Sequence, residues 1–423
     1  MTERQTTASE AAERELEGKA ARDLEAAGFV VIREARPTPG RAFGALIHAD
    51  VSGWSAGESG ELEPEVVVEV KRRSRLPVAT TVLAYLSRVA AAFRARRAFL
   101  YDGAWHEANE EFTRFETSAC PKPTRAYATA RVPRALLESE LWHLENSERA
   151  RASVRRGEEW VEFVVNSVTS GSAGALAKLC VAKSTRIALA RLLCGKAGEL
   201  EAPEALTGAM ARLLAPHSGD LVLDPTCKLG GALWAVSEAQ PDVSLEGWWT
   251  GSGSVSITKS LAAYCEVDAR FTCASFEEIL AKPAQVDRLI ALPPFGLKLP
   301  VRAALESDPR GTFEFDIAFL DRVPEWLRDN GRAVVAMPPR VLFSESASGV
   351  RQRLAHSFRV AAVVEVPSGV FETVKLPVVI IVIEKKPPTR SLVARLEADW
   401  VDQLAPTGEF FQAYQKHLAG ESP

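Results

Sequence analysis

The sequence predicts an α/β protein with two mixed α/β parts joined by a helical stretch. Three observations carry this. Beyond residue 220, near-continuous apolar runs alternate with helical stretches, the pattern of a parallel, doubly wound sheet. The first 125 residues show a shorter succession of helix, three strands, helix and strand. Between them, residues 134–215 are rich in Ala, Leu and Arg and mostly helical in composition. The expected parts are 1–125, a connecting region 126–215, a second domain 216–388 and a charged tail 389–423, in keeping with a length of 423 residues.

An apolar fraction of 47% with 25% charged residues is that of an ordinary globular protein. The net charge of −4 excludes a uniformly basic nucleic-acid binder but leaves room for a local basic groove. The N-terminus, "MTERQTTASEAAERELEG", has no apolar signal core, so a cytoplasmic protein is expected. The longest apolar run, "LPVVIIVI" (376–383), is too short to span a bilayer, and no membrane partner is expected. Cys120, Cys180, Cys194, Cys227, Cys265 and Cys273 form no CxxC pair and read as reduced thiols rather than zinc ligands.

Taken in order, residues 9–27 have helical composition and stop at Gly28, a natural C-cap. "FVVIREA", "AFGALIHADVSGW" and "EPEVVVEVKRR" read as strands, "VATTVLAYLSRVAAAFRARR" as a helix and "AFLYDG" as a strand. On the third strand, alternation puts Val66, Val68 and Val70 on one face and Glu65, Glu69 and Lys71 on the other. Asp50, on the preceding strand, can meet Glu69 and Lys71 at one point. Two carboxylates there can hold Mg²⁺, with Lys71 assisting an attacking water. The arrangement resembles the D…ExK site of the PD-(D/E)xK nucleases, including Mrr-like and type I restriction subunit forms. The resemblance implies a small restriction-endonuclease-like domain with Asp50 and Glu69 on the metal, Glu17 of the first helix as a further acid, and Lys71 as the catalytic lysine. The proline that precedes the family's Asp is Ala49 here, and "TTVLAY" stands where some members carry a Gln. Arg72, Arg73 and Arg75 would lie beside a DNA backbone, or simply in a solvated loop. "ERARASVRR" (148–156) reads as a solvated helix face.

In the second domain, "LVLDPTCKLGGALWAV" (221–236) is a strand, a Gly-bearing turn and a helix, and "VDRLIALPPFG" (286–296) a strand breaking into a proline turn. With "FEFDIAFLDRVPEWLRDNGRAVVAMPPRVLF" and "VVEVPSGVFETVKLPVVIIVIEKK", these resemble the adenine-N6 DNA methyltransferases, in particular the modification subunit of type I restriction systems, over residues 200–386. The resemblance implies a Rossmann-like methyltransferase fold. It places an S-adenosylmethionine (SAM) site in the first turn, at Asp224, Pro225, Lys228, Gly230 and Gly231, and a catalytic motif at Leu292, Pro293, Pro294 and Phe295.

Against the family pattern, Lys228 and Leu229 crowd the cofactor turn, and Trp248 and Trp249 stand where an acid should bind the ribose. Ser275, with Glu277 and Glu278 just beyond, stands where an Asp should face the base. Leu292 has no acceptor for an exocyclic amine. Trp248 and Trp249 could stack on a base, although core or interface positions are the plainer reading.

The expectation is a DNA-directed protein of restriction-modification or anti-phage defence type, acting with DNA and other restriction or defence subunits. Methylation is expected to be lost, SAM to be absent as a working cofactor, and any catalysis to be Mg²⁺-dependent. Two alternatives stand beside it: a non-catalytic scaffold, and an active methyltransferase using Glu246 or Glu277 with SAM.

Overall fold

A 26-residue helix, α1 (Thr2–Ala27), opens the chain in the computed structural model, which describes residues 2–35, 47–72, 78–125, 130–150, 157–197, 202–300, 312–371 and 377–420. It stops at Gly28, whose φ of +103° is open to glycine but strained for other residues. Strands β1 (Val30–Ala35), β2 (Ala49–Ala56) and β3 (Leu62–Val70) form an antiparallel meander. Helix α2 (Ala79–Phe93) packs on β3 and returns the chain, so that β4 (Arg97–Tyr101) runs parallel to β3. A hairpin of β5 (Trp105–Ala108) and β6 (Phe115–Ser118) completes the sheet in the order β1-β2-β3-β4-β5-β6. Sequence reading did not find this hairpin. Its strands are four residues each, too short for a clear alternation. Val66, Val68 and Val70 pack with Ala20, Ala21 and Leu24 of α1, as their alternation predicts.

Five helices follow: α3 (Arg134–Ala150), α4 (Gly157–Thr169), α5 (Ala175–Leu179), α6 (Lys183–Lys196) and α7 (Glu204–Leu214). The chain divides into two compact units, residues 1–154 with 167–185, and residues 155–166 with 186–423. The helical stretch is thus shared between the units rather than forming a body of its own. Arg73, Arg75 and the side chains of 148–156 lie outside the described residues.

The second unit is built on β7 (Leu221–Asp224), α8 (Gly231–Ala239), β8 (Ser244–Trp249), α9 (Ser252–Cys265), β9 (Ala269–Cys273), α10 (Phe276–Ala281) and β10 (Val286–Ala291). A small ribbon of β11 (Lys298–Pro300) and β12 (Thr312–Glu314) leads to α11 (Phe315–Trp326) and β13 (Leu327–Met337). Then come α12 (Ser348–Ser357), β14 (Arg359–Val366), β15 (Val378–Glu384), β16 (Leu392–Arg395), α13 (Trp400–Gln403) and α14 (Glu409–Ala419). The sheet order is β16-β14-β15-β13-β10-β7-β8-β9. All its pairings are parallel except those of β15, which runs antiparallel to both β13 and β14. The sheet is therefore mixed rather than wholly parallel. The pairing of the closing strands as a hairpin is the one their proximity in sequence predicts.

Glu384, at the end of β15, is 1% exposed and takes Arg332 of β13 at 2.8 Å and Arg359 of β14 at 3.1 Å. Those two guanidinium groups help hold its carboxyl below the usual range against the cost of burial. Residues 389–420, read from sequence as a tail, are folded into this unit. β16 extends the sheet, Trp400, Phe410 and Tyr414 are buried, and the Tyr414 hydroxyl donates to the Leu213 carbonyl at 3.0 Å. These apolar anchors are widely spaced among charged residues, which is why the stretch reads as solvated. Among the described residues, no helix is long and apolar enough to cross a membrane, and no disulfide joins the cysteines.

Candidate functional sites

In the first unit, the start of β2 lies beside the end of β3, where Val51 pairs with Val68. Extending that register brings Asp50 opposite Glu69 and His48 opposite Lys71, all on one face. The backbone N–H of Val70 donates to Asp50 Oδ2 at 2.7 Å. Lys71 Nζ lies 2.7 Å from Glu69 Oε1, 3.8 Å from Asp50 Oδ2 and 3.5 Å from Glu13 Oε1. One ammonium is thus shared by three carboxylates. The helix acid at this cluster is Glu13, not Glu17 as expected. Glu13 and Glu17 are one turn apart on α1, so spacing alone could not choose between them. Arg33 of β1 makes the choice, because its Nη2 donates to Glu17 Oε2 at 3.2 Å.

Burial raises the pKa of Asp50 above the usual carboxylate range. Burial, reinforced by the charge of Asp50, pushes Glu69 up to about 7. Burial opposes the Lys71 ammonium, yet the charges of Glu69, Asp50 and Glu13 outweigh it and hold its pKa above the normal lysine value. In this arrangement Lys71 is a charged hydrogen-bond donor near neutral pH. The same face carries Glu65, which accepts from the hydroxyls of Ser55 and Thr124 and serves as a structural anchor.

Two neighbours went unnoticed in the sequence. His48 Nε2 stands 3.7 Å from Asp50 Oδ1, and the Tyr85 hydroxyl of α2 donates to the His48 carbonyl at 2.7 Å. His48 was legible in principle, since it lies two residues before Asp50 and so shares its face. Among the described residues, no group of three or more His, Cys, Asp or Glu side chains is placed to hold a metal ion, and that includes this cluster. Lys71 is the cation that the carboxylates now share.

In the second unit, the carboxyl ends of β7, β8 and β10 surround a cavity of about 550 Å³. Asp224, Lys228, Gly231, Trp249 and the whole run from Leu292 to Phe295 line it. Asp224 Oδ1 accepts from the Thr226 N–H at 2.9 Å and from its hydroxyl at 3.2 Å. Pro225 is buried and, like Gly230, lies outside the lining. Gly230 has a φ of +85°, and a Cβ there would come 3.0 Å from Trp234 Nε1. Leu229 does not crowd the cavity as expected. The turn closed by Gly230 N–H on the Cys227 carbonyl directs it inward, where it is 2% exposed and its carbonyl accepts from Trp234 Nε1 at 2.8 Å.

The two tryptophans of β8 part company. Trp248 is core, 5.9 Å from Trp326 between ring centroids, and its Nε1 donates to Glu246 at 2.7 Å. Trp249 lines the cavity edge-on to Phe276. Ser275 and Glu278 form a capping box on α10, which accounts for both of them, and Glu277 lies outside the lining. Asp224 is thus the sole carboxylate among the described lining residues, and the Leu292 side chain offers no acceptor.

The sequence pattern of the family described as N-6 DNA Methylase matches residues 188–401, just over half of the chain. The chain belongs to the N-6 DNA methylase family. It is 27% identical over 202 residues to the type I restriction enzyme EcoEI methylase subunit of Escherichia coli, a match covering 42% of this chain and 40% of that protein. It is 24% identical over 161 residues to the tRNA (guanine(10)-N2)-dimethyltransferase of Methanocaldococcus jannaschii, covering 36% of this chain and 42% of the other. The chain therefore spans about two fifths of the length of these curated relatives. Among solved structures, it is similar to a Listeria monocytogenes protein described as a class I SAM-dependent methyltransferase. The TM-score is 0.52 and the identity 14%, over 67% of this chain and 98% of that one, a likeness in fold.

In this member of the N-6 DNA methylase family, the proline turn is held from behind. The Gly296 N–H donates to Asp316 Oδ2 at 3.2 Å. Asp316 is 0% exposed and takes Arg340 Nη2 on both oxygens, at 2.8 and 2.6 Å, while Arg340 Nη1 reaches Glu314 at 2.5 Å.

Proposed function

We propose that this chain is a DNA-directed protein of restriction-modification type. In this reading its first unit hydrolyses phosphodiester bonds with a divalent metal, and its methylase unit has lost methyl transfer. The observation that carries it is the gathering of Glu69, Asp50 and Glu13 around Lys71. Together with the order helix, three strands, helix, strand, this supports a PD-(D/E)xK-like nuclease. Asp50, Glu69 and Glu13 would hold the metal, which when bound supplies charge neutralisation at phosphate and an acidified water. The Val70 N–H orients Asp50. Lys71 turns out from between the carboxylates and donates a hydrogen bond to the phosphate oxygen on which charge grows. Such an oriented donor is worth roughly 10²–10³ in rate.

The test is cleavage of plasmid DNA by the full chain with Mg²⁺ or Mn²⁺. Lys71→Ala is expected to slow cleavage by about 10²–10³, and Glu17→Gln to leave it nearly unchanged. DNA that stays intact with either metal, or equal cleavage by Lys71→Ala, would falsify the reading.

The methylase relatives make SAM the first ligand to try on the second unit. Leu292 and the scarcity of carboxylates in the cavity support loss of the reaction. Calorimetric titration of the full chain with SAM is expected to show no micromolar binding, and tritiated methyl groups to stay off adenine. Transfer to DNA by the wild-type chain would restore the active-methylase reading.

A further inference from the structure

We propose that the cavity of the second unit holds a small, planar aromatic acid, its rings among Trp249, Phe276, Phe295 and Phe371 and its negative group toward Lys228. The inference rests on the reading that this unit has lost methyl transfer, and names what the cavity takes instead. At about 550 Å³ the space suits a molecule of two or three rings. Its aromatic walls come as two crossed pairs. Trp249 and Phe276 stand 5.7 Å apart between ring centroids at 85°, and Phe295 and Phe371 stand 6.4 Å apart at 88°. In each pair one ring turns its edge to the other's face. A further flat ring finds both faces and edges there, the two contacts that aromatic groups favour.

The charges decide which aromatic ligand benefits. Among the described lining residues, Asp224 is the sole carboxylate and Lys228 the sole cation. Asp224 is 3% exposed, and its Oδ1 accepts from both the N–H and the hydroxyl of Thr226, so it serves the turn it stands in. Lys228 is only partly buried. Its backbone is fixed, because its carbonyl accepts from the Thr258 hydroxyl at 3.2 Å. Its φ of +49° lies in the left-handed region, where a side chain is disfavoured and glycine is not. A lysine at this position therefore carries a conformational cost and brings a long cation to the cavity. An acid meeting it in an apolar, aromatic surround gains a charge-assisted hydrogen bond. A sulfonium would meet like charge. Beyond Asp224, no described lining residue offers a carboxylate for sugar hydroxyls, so an aromatic acid without a sugar fits better than a nucleotide.

The experiment follows the fluorescence of anilinonaphthalene sulfonate titrated into the full chain, then its displacement by naphthoate, by the neutral naphthamide and by adenosine monophosphate. Lys228→Gly and Lys228→Arg are run alongside. Glycine suits the backbone at 228, so the first variant removes the ammonium without disturbing the turn. Wild type is expected to bind the dye saturably, with naphthoate displacing it at least about tenfold better than naphthamide or adenosine monophosphate. Lys228→Gly should lose the preference for acid over amide and about tenfold in naphthoate affinity, with its unfolding midpoint unchanged or raised. Lys228→Arg should keep the preference. Dye that does not bind saturably, naphthamide or adenosine monophosphate competing as well as naphthoate, or a preference that survives Lys228→Gly overturns this inference and leaves the loss of methyl transfer standing. Displacement of the dye by micromolar SAM overturns that reading, and this inference with it.

Discussion

Glu69→Gln is expected to stabilise the metal-free chain at pH 8, by on the order of 2–3 kcal/mol. In the folded protein, burial and then the charge of Asp50 push this carboxyl from 4.5 up to about 7. The folded state therefore holds the proton more tightly than the unfolded chain does. The stability this contributes is complete below pH 4.5 and is lost as pH rises through about 7. A glutamine has no proton to lose, so the variant escapes the decline. Chemical unfolding of the full chain in chelator, across pH 4.5 to 8, reads the effect. Wild type and variant should nearly coincide at the acid end and diverge toward pH 8. A variant no more stable than wild type at pH 8 would show that Lys71 already compensates the buried charge. Saturating Mn²⁺ should narrow the gap, since a bound dication stabilises the wild-type carboxylate.

The second large effect lies in the other unit. Arg340→Ala is expected to destabilise it by about 3–5 kcal/mol, the usual result of stripping the partner from a buried ion pair. Asp316 is fully buried and takes both its charged contacts from this one guanidinium. Without Arg340, its carboxylate would keep only weaker backbone donors, among them the Gly296 and Ile317 N–H groups. The double variant Asp316→Asn with Arg340→Ala should recover part of the loss, because it removes the stranded charge. Denaturant unfolding measures both. A single variant within about 1 kcal/mol of wild type would mean that water satisfies Asp316 in place of the guanidinium.

Much of this was legible because both sheets have strong patterns. The apolar runs of β10, β13 and β15 and the alternation of β3 each left one reading open. What was not legible depended on contacts far apart in sequence. β5 and β6 are strands because they pair with β4 and each other, not because of their own composition. Glu13 replaces Glu17 at the cluster because Arg33, on another element, takes the latter. Leu229 looked like an obstruction in a linear motif, but the four-residue turn Cys227–Gly230 sends it into the core. Trp248 and Trp249 are adjacent in sequence, and strand alternation sends one to the core and the other to the cavity.

The antiparallel position of β15 has a consequence for synthesis. β14 reaches β13 and the strands beyond it only through β15, which is made after it and fills the gap beside β13. While the ribosome has yet to release residues 378–384, β14 has no neighbour and the edge of β13 lies bare, a sticky apolar ribbon. Closure then comes late and all at once, with Glu384 locking onto arginines from both flanking strands. Slow translation through this stretch would lengthen the window in which nascent chains can aggregate.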